Sequence, residues 1–306
     1  MEAQHSTGVA VLLSTYNGEK FLPALLDSVF KQDFRPLRVI ARDDGSVDGT
    51  VPILKEYANT YPSCSLLEIG PRLGVTASFL RLACHTVGSF AYHAFCDQDD
   101  IWLPGKLGRA VSRLECCSEP TLYCSRLSLV DENLRPTGYS QRIRQPPCLR
   151  NALVENIATG CTVVMNSAGC EILTNKIPRN ALFHDWWAYL VLSALGKVTY
   201  DPESHILHRQ HSTNDTGMPT GLRLWSRRIR RFFEGNRSHA LTQQAQEFRE
   251  IFGACVDPKD RRILDRFIDG RSSVGERLAY SVRPEVFRQR PLDNAILRCL
   301  LAIGRI

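Results

Sequence analysis

Several common signals are missing from this 306-residue chain. No uninterrupted apolar run approaches the roughly 20 residues of a membrane-crossing helix, which excludes a protein built on such spans. No basic stretch precedes the first short apolar run, so a secretion signal is not expected. The eleven cysteines contain no C-x-x-C pair, are odd in number and are irregularly spaced, and Cys116 and Cys117 are adjacent. They read as reduced, mostly buried thiols of a cytoplasmic protein, not as a disulfide framework or a zinc site. The Gly-rich loops of P-loop and dinucleotide sites are absent, so no backbone cradle for phosphates is expected. Internal repeats and low-complexity tracts are absent too.

What remains is an ordinary globular composition, 43% hydrophobic and 23% charged, which excludes a disordered or collagen-like chain. The length fits two domains of about 150 residues or one large α/β domain with an extension. The net charge of +6 is unevenly placed. Residues 1–221 carry 20 basic and 22 acidic side chains, whereas residues 222–306 carry 18 and 10. We therefore divide the chain into a main domain, 1–220, and a basic, mainly helical extension, 221–306. Within the extension, residues 222–233 (LRLWSRRIRRFF) hold five arginines and no acid. Leu222, Trp225, Ile229 and Phe232 recur at helical spacing, which suits an anionic membrane surface or packing on the body of the protein. No nucleic-acid motif accompanies the arginines, and no nucleic acid is expected as a partner.

The first 130 residues alternate strand and helix signals. Strands are expected at 9–13, 38–41, 65–69 and 90–96. Helices are expected after the first and second strands and at 76–86. This alternation implies βαβ units and a mostly parallel sheet. Further on, 121–130 and 158–165 read as strands, 133–150 as a loop, 185–195 as a helix and 197–200 as a strand. Polar clusters follow strands one, two and four, where open α/β sheets bind ligands.

Asp97-Gln98-Asp99-Asp100 places three carboxylates within four residues. Such a cluster is either a solvated helix-capping loop or a seat for a hard divalent cation, Mg²⁺ or Mn²⁺. Asp43-Asp44-Gly45-Ser46-Val47-Asp48-Gly49-Thr50 is a second acidic turn, able to cap the next helix or to accept a hydrogen bond from a base. His205, His208 and His211 are three apart, a spacing that does not place them on one face in a strand or loop, so three-histidine zinc ligation is not expected.

Ser14-Thr15-Tyr16-Asn17, the turn 43–50 and the run Asp97-Gln98-Asp99-Asp100-Ile101-Trp102-Leu103-Pro104-Gly105-Lys106-Leu107 together resemble the inverting family-two glycosyltransferases of GT-A fold. Thr159-Gly160-Cys161-Thr162 and His184-Asp185-Trp186-Trp187 agree with this. Tyr200-Asp201-Pro202 and His208-Arg209-Gln210-His211 resemble in particular the rhamnosyltransferase-like branch, which builds bacterial surface polysaccharides. The resemblance spans residues 8–215. One departure is Arg72-Leu73-Gly74, where the family usually has Asn-x-Gly.

The resemblance implies a GT-A-like, mostly parallel sheet flanked by helices, and a metal-dependent, inverting sugar transfer. The donor would be dTDP-L-rhamnose, or alternatively a UDP-hexose, and the acceptor a carbohydrate or lipid-linked glycan. Ser14, Thr15, Tyr16, Asp43, Asp44, Arg72 and Asp97 would hold the donor nucleotide. Asp99, Asp97 and His211 would hold Mg²⁺ or Mn²⁺. Asp185 would be the general base, its pKa raised by desolvation; an N-cap role is compatible with this. Gly160, Cys161, Trp186, Trp187 and Trp102 would line the acceptor side. A cytoplasmic enzyme is expected, peripheral at the inner membrane face through 222–233. The rivals are a non-catalytic sugar-nucleotide-binding protein and a nucleic-acid-binding one.

Overall fold

The computed structural model describes residues 6–211 and 239–306. Residues 222–233 lie outside this range. The amino-terminal part runs β1 (Ser6–Thr15), α1 (Leu22–Phe30), β2 (Leu37–Asp43), α2 (Thr50–Thr60), β3 (Cys64–Ile69), α3 (Val75–Thr86) and β4 (Phe90–Cys96). Then come β5 (Ile101–Trp102), α4 (Lys106–Leu114), β6 (Thr121–Ser125), β7 (Ser128–Val130) and β8 (Pro136–Tyr139). After these follow α5 (Leu149–Ala152), β9 (Val164–Asn166), α6 (Ser167–Asn175), α7 (His184–Leu195), β10 (Lys197–Asp201) and β11 (Ile206–Arg209).

Seven strands form one sheet in the order β10-β6-β9-β4-β1-β2-β3. β4, β1, β2 and β3 are parallel, and β9 runs antiparallel to both β4 and β6. Val9 to Leu13 are fully buried, because helices cover both faces of the sheet and an unbroken apolar strand is then favoured over an alternating one. Val9, Val11 and Leu13 meet Leu22, Leu25 and Leu26 of α1 and Leu107 of α4. Ala10 and Leu12 face the opposite core, with Phe79 of α3 and Trp187 of α7.

A second, four-stranded sheet has the order β5-β11-β7-β8, and its strands β5, β7 and β11 follow β4, β6 and β10 of the first in the chain. It corrects two expectations. The stretch 121–130 is not one strand: β6 belongs to the large sheet and β7 to the small one. Between them the Arg126 N–H donates to the Asp201 carbonyl and the Leu127 N–H to the Ser140 hydroxyl, both at 2.9 Å. The stretch expected as a loop contains β8, paired with β7. The strand expected over 158–165 is a 3-10 turn, Gly160–Thr162, followed by β9.

Among the described residues, four α-helices follow: α8 (Ala240–Phe252), α9 (Pro258–Asp269), α10 (Val274–Val282) and α11 (Pro291–Ala302). Phe248 and Phe252 of α8 pack against Trp187, with ring centroids 6.2 and 6.3 Å away. The Gln289 side-chain oxygen accepts the Arg144 and Gln145 N–H groups at 2.7 and 3.0 Å. These helices thus bury their apolar faces in the same core as one face of the large sheet.

Phe248 is fully buried in that shared core. Phe248→Ala is expected to destabilise the whole chain by about 3–5 kcal/mol in urea unfolding, in one transition. A loss below about 1 kcal/mol would show that α8 adds little to the core.

Candidate active site

Because β4, β1 and β2 are parallel neighbours, their carboxyl ends form one rim. The register pairs Leu13 with Cys96 and Thr15 with Asp43. The next residues therefore converge on an open cleft of about 150 Å³ lined by Ser14, Thr15, Tyr16, Asp44, Asp97 and Asp99, with His208, Gln98, Val75 and Phe79.

Asp44 is held from several sides. It accepts Leu73 N–H at 2.6 Å, Gly74 N–H at 2.8 Å, Arg42 Nη1 at 2.7 Å and Ser78 Oγ at 3.1 Å. Burial pushes its carboxyl up, but these donors outweigh burial and hold it below the usual carboxylate value. Asp43 differs from its neighbour. Its oxygens accept Thr15 Oγ1 at 2.9 Å, Gly45 N–H at 3.0 Å, Ser46 N–H at 2.7 Å and Ser46 Oγ at 2.5 Å. It is fully buried, closes its own turn and is not among the residues that line the cleft. The exposed Arg72 guanidinium lies over the Tyr16 ring, 4.1 Å from its centroid.

Gln98 was not singled out by the sequence reading. Its Oε1 accepts Tyr16 N–H at 2.8 Å and its Nε2 donates to the Tyr16 carbonyl at 3.0 Å. The end of β1 is thereby tied to the acidic loop. Gly18 leaves room for this clamp, since a Cβ there would come within 2.3 Å of Gln98 Oε1.

The three acids of the loop have different surroundings. Asp100 is fully buried and accepts Arg209 N–H at 3.1 Å; His208 Nδ1 lies 3.0 Å away. Burial pushes His208 down, but the Asp100 carboxylate reverses this and lifts it to about 9, so the pair is ionic. Asp99 Oδ2 lies 2.7 Å from His211 Nε2. The Asp97 carboxylate receives no hydrogen bond among the described residues. Burial and the charges of Asp100 and Asp99 push its pKa well up. Beneath the loop, buried Lys106 sets its ammonium 3.6 Å from the Trp102 ring centroid; burial lowers its pKa to about 8. The three histidines take separate partners, His205 lying near Glu203.

Two carboxylates and one imidazole are donor types that a hard divalent cation such as Mg²⁺ or Mn²⁺ takes; Asp99 and His211 are in contact, but Asp97 does not close with them into a set within 4.8 Å. Asp100, Cys161 and His208 also come together, within 4.8 Å. There His208 and Asp100 are engaged with each other, although the second Asp100 oxygen is buried without a partner, and burial pushes the Cys161 thiol well up, which disfavours a metal thiolate.

Asp185 stands in the first turn of α7. Its Oδ2 accepts Gly160 N–H at 2.8 Å and its Oδ1 accepts Trp186 N–H at 2.6 Å. Burial outweighs these bonds and raises its carboxyl to about 6. The Gly160 bond also explains why a 3-10 turn replaces the expected strand. A Cβ at Gly160 would meet His184 Nε2 at 2.9 Å, so the close approach requires glycine.

The acceptor-side assignments need correction. Trp187 is fully buried against Phe248 and Phe252, and Trp102 is 2% exposed over Lys106, so neither offers a ring to a ligand. Cys161 is fully buried, with its Sγ 3.9 Å from His208 Nδ1. Trp186 is half-buried, and its indole N–H donates to the Ala152 carbonyl at 2.7 Å.

Comparison with known proteins bears on the family and the fold. The chain is 28% identical over 225 residues to a dTDP-rhamnosyl transferase, RfbG, of Shigella flexneri, covering 67% of this chain and 73% of that one. It is 25% identical over 213 residues to an uncharacterized protein of Mycobacterium tuberculosis, of which it spans only 59%. Among solved structures, TarS 1-349 of S. aureus in complex with UDP-GlcNAc superposes with a TM-score of 0.57 at 16% identity, covering 97% of this chain and 90% of that one. The mannosyltransferase PcManGT from Pyrobaculum calidifontis, in complex with GDP-Man and Mn²⁺, gives 0.54 at 19% identity, covering 99% and 81%. These likenesses establish a GT-A-like α/β fold. The profile of Glycosyl transferase family 2 matches residues 10–169, more than half of the chain, which belongs to that family as a nucleotide-sugar-dependent glycosyltransferase.

Proposed function

We propose that the protein transfers L-rhamnose, with inversion, from dTDP-L-rhamnose to a carbohydrate or lipid-linked glycan acceptor of a bacterial surface polysaccharide. The donor reading rests on the similarity to the Shigella dTDP-rhamnosyl transferase. A UDP-hexose donor is the second reading, favoured by the similarity to TarS, whose structure holds UDP-GlcNAc.

The observation that carries a transfer reaction is Asp185. It is a carboxylate with a pKa of about 6, fixed by main-chain N–H groups and close enough to Asp97 for the two charges to repel. In this reading Asp185 takes the proton of the acceptor hydroxyl as that oxygen attacks the anomeric carbon. The bond to the nucleoside diphosphate breaks as the new glycosidic bond forms on the opposite face, and the proton stays on Asp185. Ser14, Thr15, Tyr16, Asp44 and Arg72 hold the nucleotide. Asp97, Asp99 and His211 hold Mg²⁺ or Mn²⁺, which when bound neutralises charge on the departing diphosphate. The catalytic domain of this reading is 1–220 and the extension 221–306.

A thermal-shift panel of nucleotide sugars tests the donor. dTDP-L-rhamnose with Mn²⁺ is expected to stabilise the protein by about 2.7 kcal/mol at a hundredfold excess over its Kd, and Asp99→Ala to abolish the metal-dependent part. Stabilisation by a UDP-hexose alone would replace the donor.

Asp185→Asn is expected to lower turnover by about 10²–10⁴-fold. The wild-type kcat/KM should fall as pH drops through about 6, where Asp185 takes up its proton. The stability effect has the opposite sign. The folded pKa lies above the unfolded one, so ionising Asp185 in place costs stability progressively as pH rises from about 4 to about 6. At pH 7.5 the asparagine variant should melt at the wild-type temperature or above. A variant that keeps wild-type turnover would remove Asp185 from the mechanism.

A further inference from the structure

The last two helices, α10 and α11, pack on each other and present apolar side chains outward. Val274, Leu278 and Val282 are 61%, 51% and 66% exposed, at every fourth position of α10. Leu292 and Ile303, 58% and 57% exposed, bracket α11, with exposed Ala295 and Cys299 between them. These spacings form stripes on helices, and a water-facing helix surface is ordinarily polar there.

Arginines accompany the stripes. Arg283, Arg290, Arg298 and Arg305 are exposed, and none has an acidic partner among the described residues. On the two preceding helices Arg249, Arg261 and Arg266 are each paired with a carboxylate, while exposed Arg262 bonds only the Pro258 carbonyl. The acids near α10 are already engaged, Glu276 in the cap of Ser273 and Glu285 on Arg266.

We propose that the outer face of α10 and α11 is a docking surface for an anionic phospholipid bilayer. The apolar stripes enter the boundary between headgroups and acyl chains, and the four arginines meet lipid phosphates. Charge selects this occupant over two others. A second copy of the chain would bring the same unpaired arginines against themselves. Residues 222–233 carry five arginines and no acid, and so do not complement the face either. Among the described residues no helix is long and apolar enough to cross a membrane, so this contact would be peripheral.

The test is co-sedimentation of the full chain with phosphatidylcholine vesicles, with and without phosphatidylglycerol, in the absence of any sugar nucleotide. It therefore does not depend on the donor or on turnover. Wild type is expected to bind the anionic vesicles. Leu278→Gln with Val282→Gln, and separately Leu292→Gln with Ile303→Gln, should weaken binding at least about tenfold. Arg283→Glu with Arg298→Glu should weaken it by a similar factor at low salt, with a smaller difference at high salt. All substituted side chains are exposed, and unchanged melting curves confirm the fold. The proposal is overturned if wild type ignores anionic vesicles. It is also overturned if all these variants sediment like wild type while reversal of Arg227, Arg228, Arg230 and Arg231 alone releases the protein. A dimer in light scattering that the α10 variant dissociates would reassign the face to contact between copies.

Discussion

Three carboxylates crowd the end of β4, and much of the nearby structure answers that charge. Asp100 is removed from water altogether, which is costly for an ion unless it is paired. The pairing comes from β11, through His208 and the Arg209 N–H. The Lys106 ammonium adds positive charge from below, held over the Trp102 ring. The small second sheet positions these groups: β5 carries Trp102, and β11 carries His208 and leads to His211. The half-buried Asp97 carboxylate receives no hydrogen bond among the described residues, and burial, Asp100 and Asp99 push its pKa up.

The alternating strands and helices of the first 130 residues were legible because a strand buried on both faces is an uninterrupted apolar run. The clusters at the ends of strands one, two and four were legible for a related reason, since parallel neighbours end on the same side. Side-chain direction within each cluster was not. Asp43 and Asp44 are adjacent, yet one closes a turn while the other faces the cleft. Trp186 and Trp187 differ likewise. Successive helix residues point about 100° apart, and only the position of α8 decides which indole is enclosed. Gln98 carried no signal of its own, because its role is to bond a backbone amide distant in sequence. The break between β6 and β7 was equally hidden, since both halves are apolar and only their assignment to different sheets separates them.

The carboxyl-terminal helices have two unlike sides. Their inner faces extend the core around Trp187, close in sequence to Asp185. Their outer faces on α10 and α11 combine exposed aliphatic side chains with exposed arginines that have no acidic partner among the described residues. A segment attached so closely to the framework of the cleft would fix the orientation of that cleft relative to whatever surface it meets.

The loop after β3 has a different consequence. Asp44 is gripped by the Leu73 and Gly74 main-chain N–H groups, while the side chains of Arg72 and Leu73 are exposed. Gly74, at a φ of +84°, supplies a backbone shape that other residues rarely adopt. The departure from the usual Asn-x-Gly therefore leaves the grip on Asp44 intact, because the grip uses no side chain of that loop except the absence of one. Positions 72 and 73 are in this sense free to drift. Mutation there can alter what touches the outer edge of the cleft without disturbing the carboxylate beneath it, so a lineage could vary that rim while keeping the same scaffold.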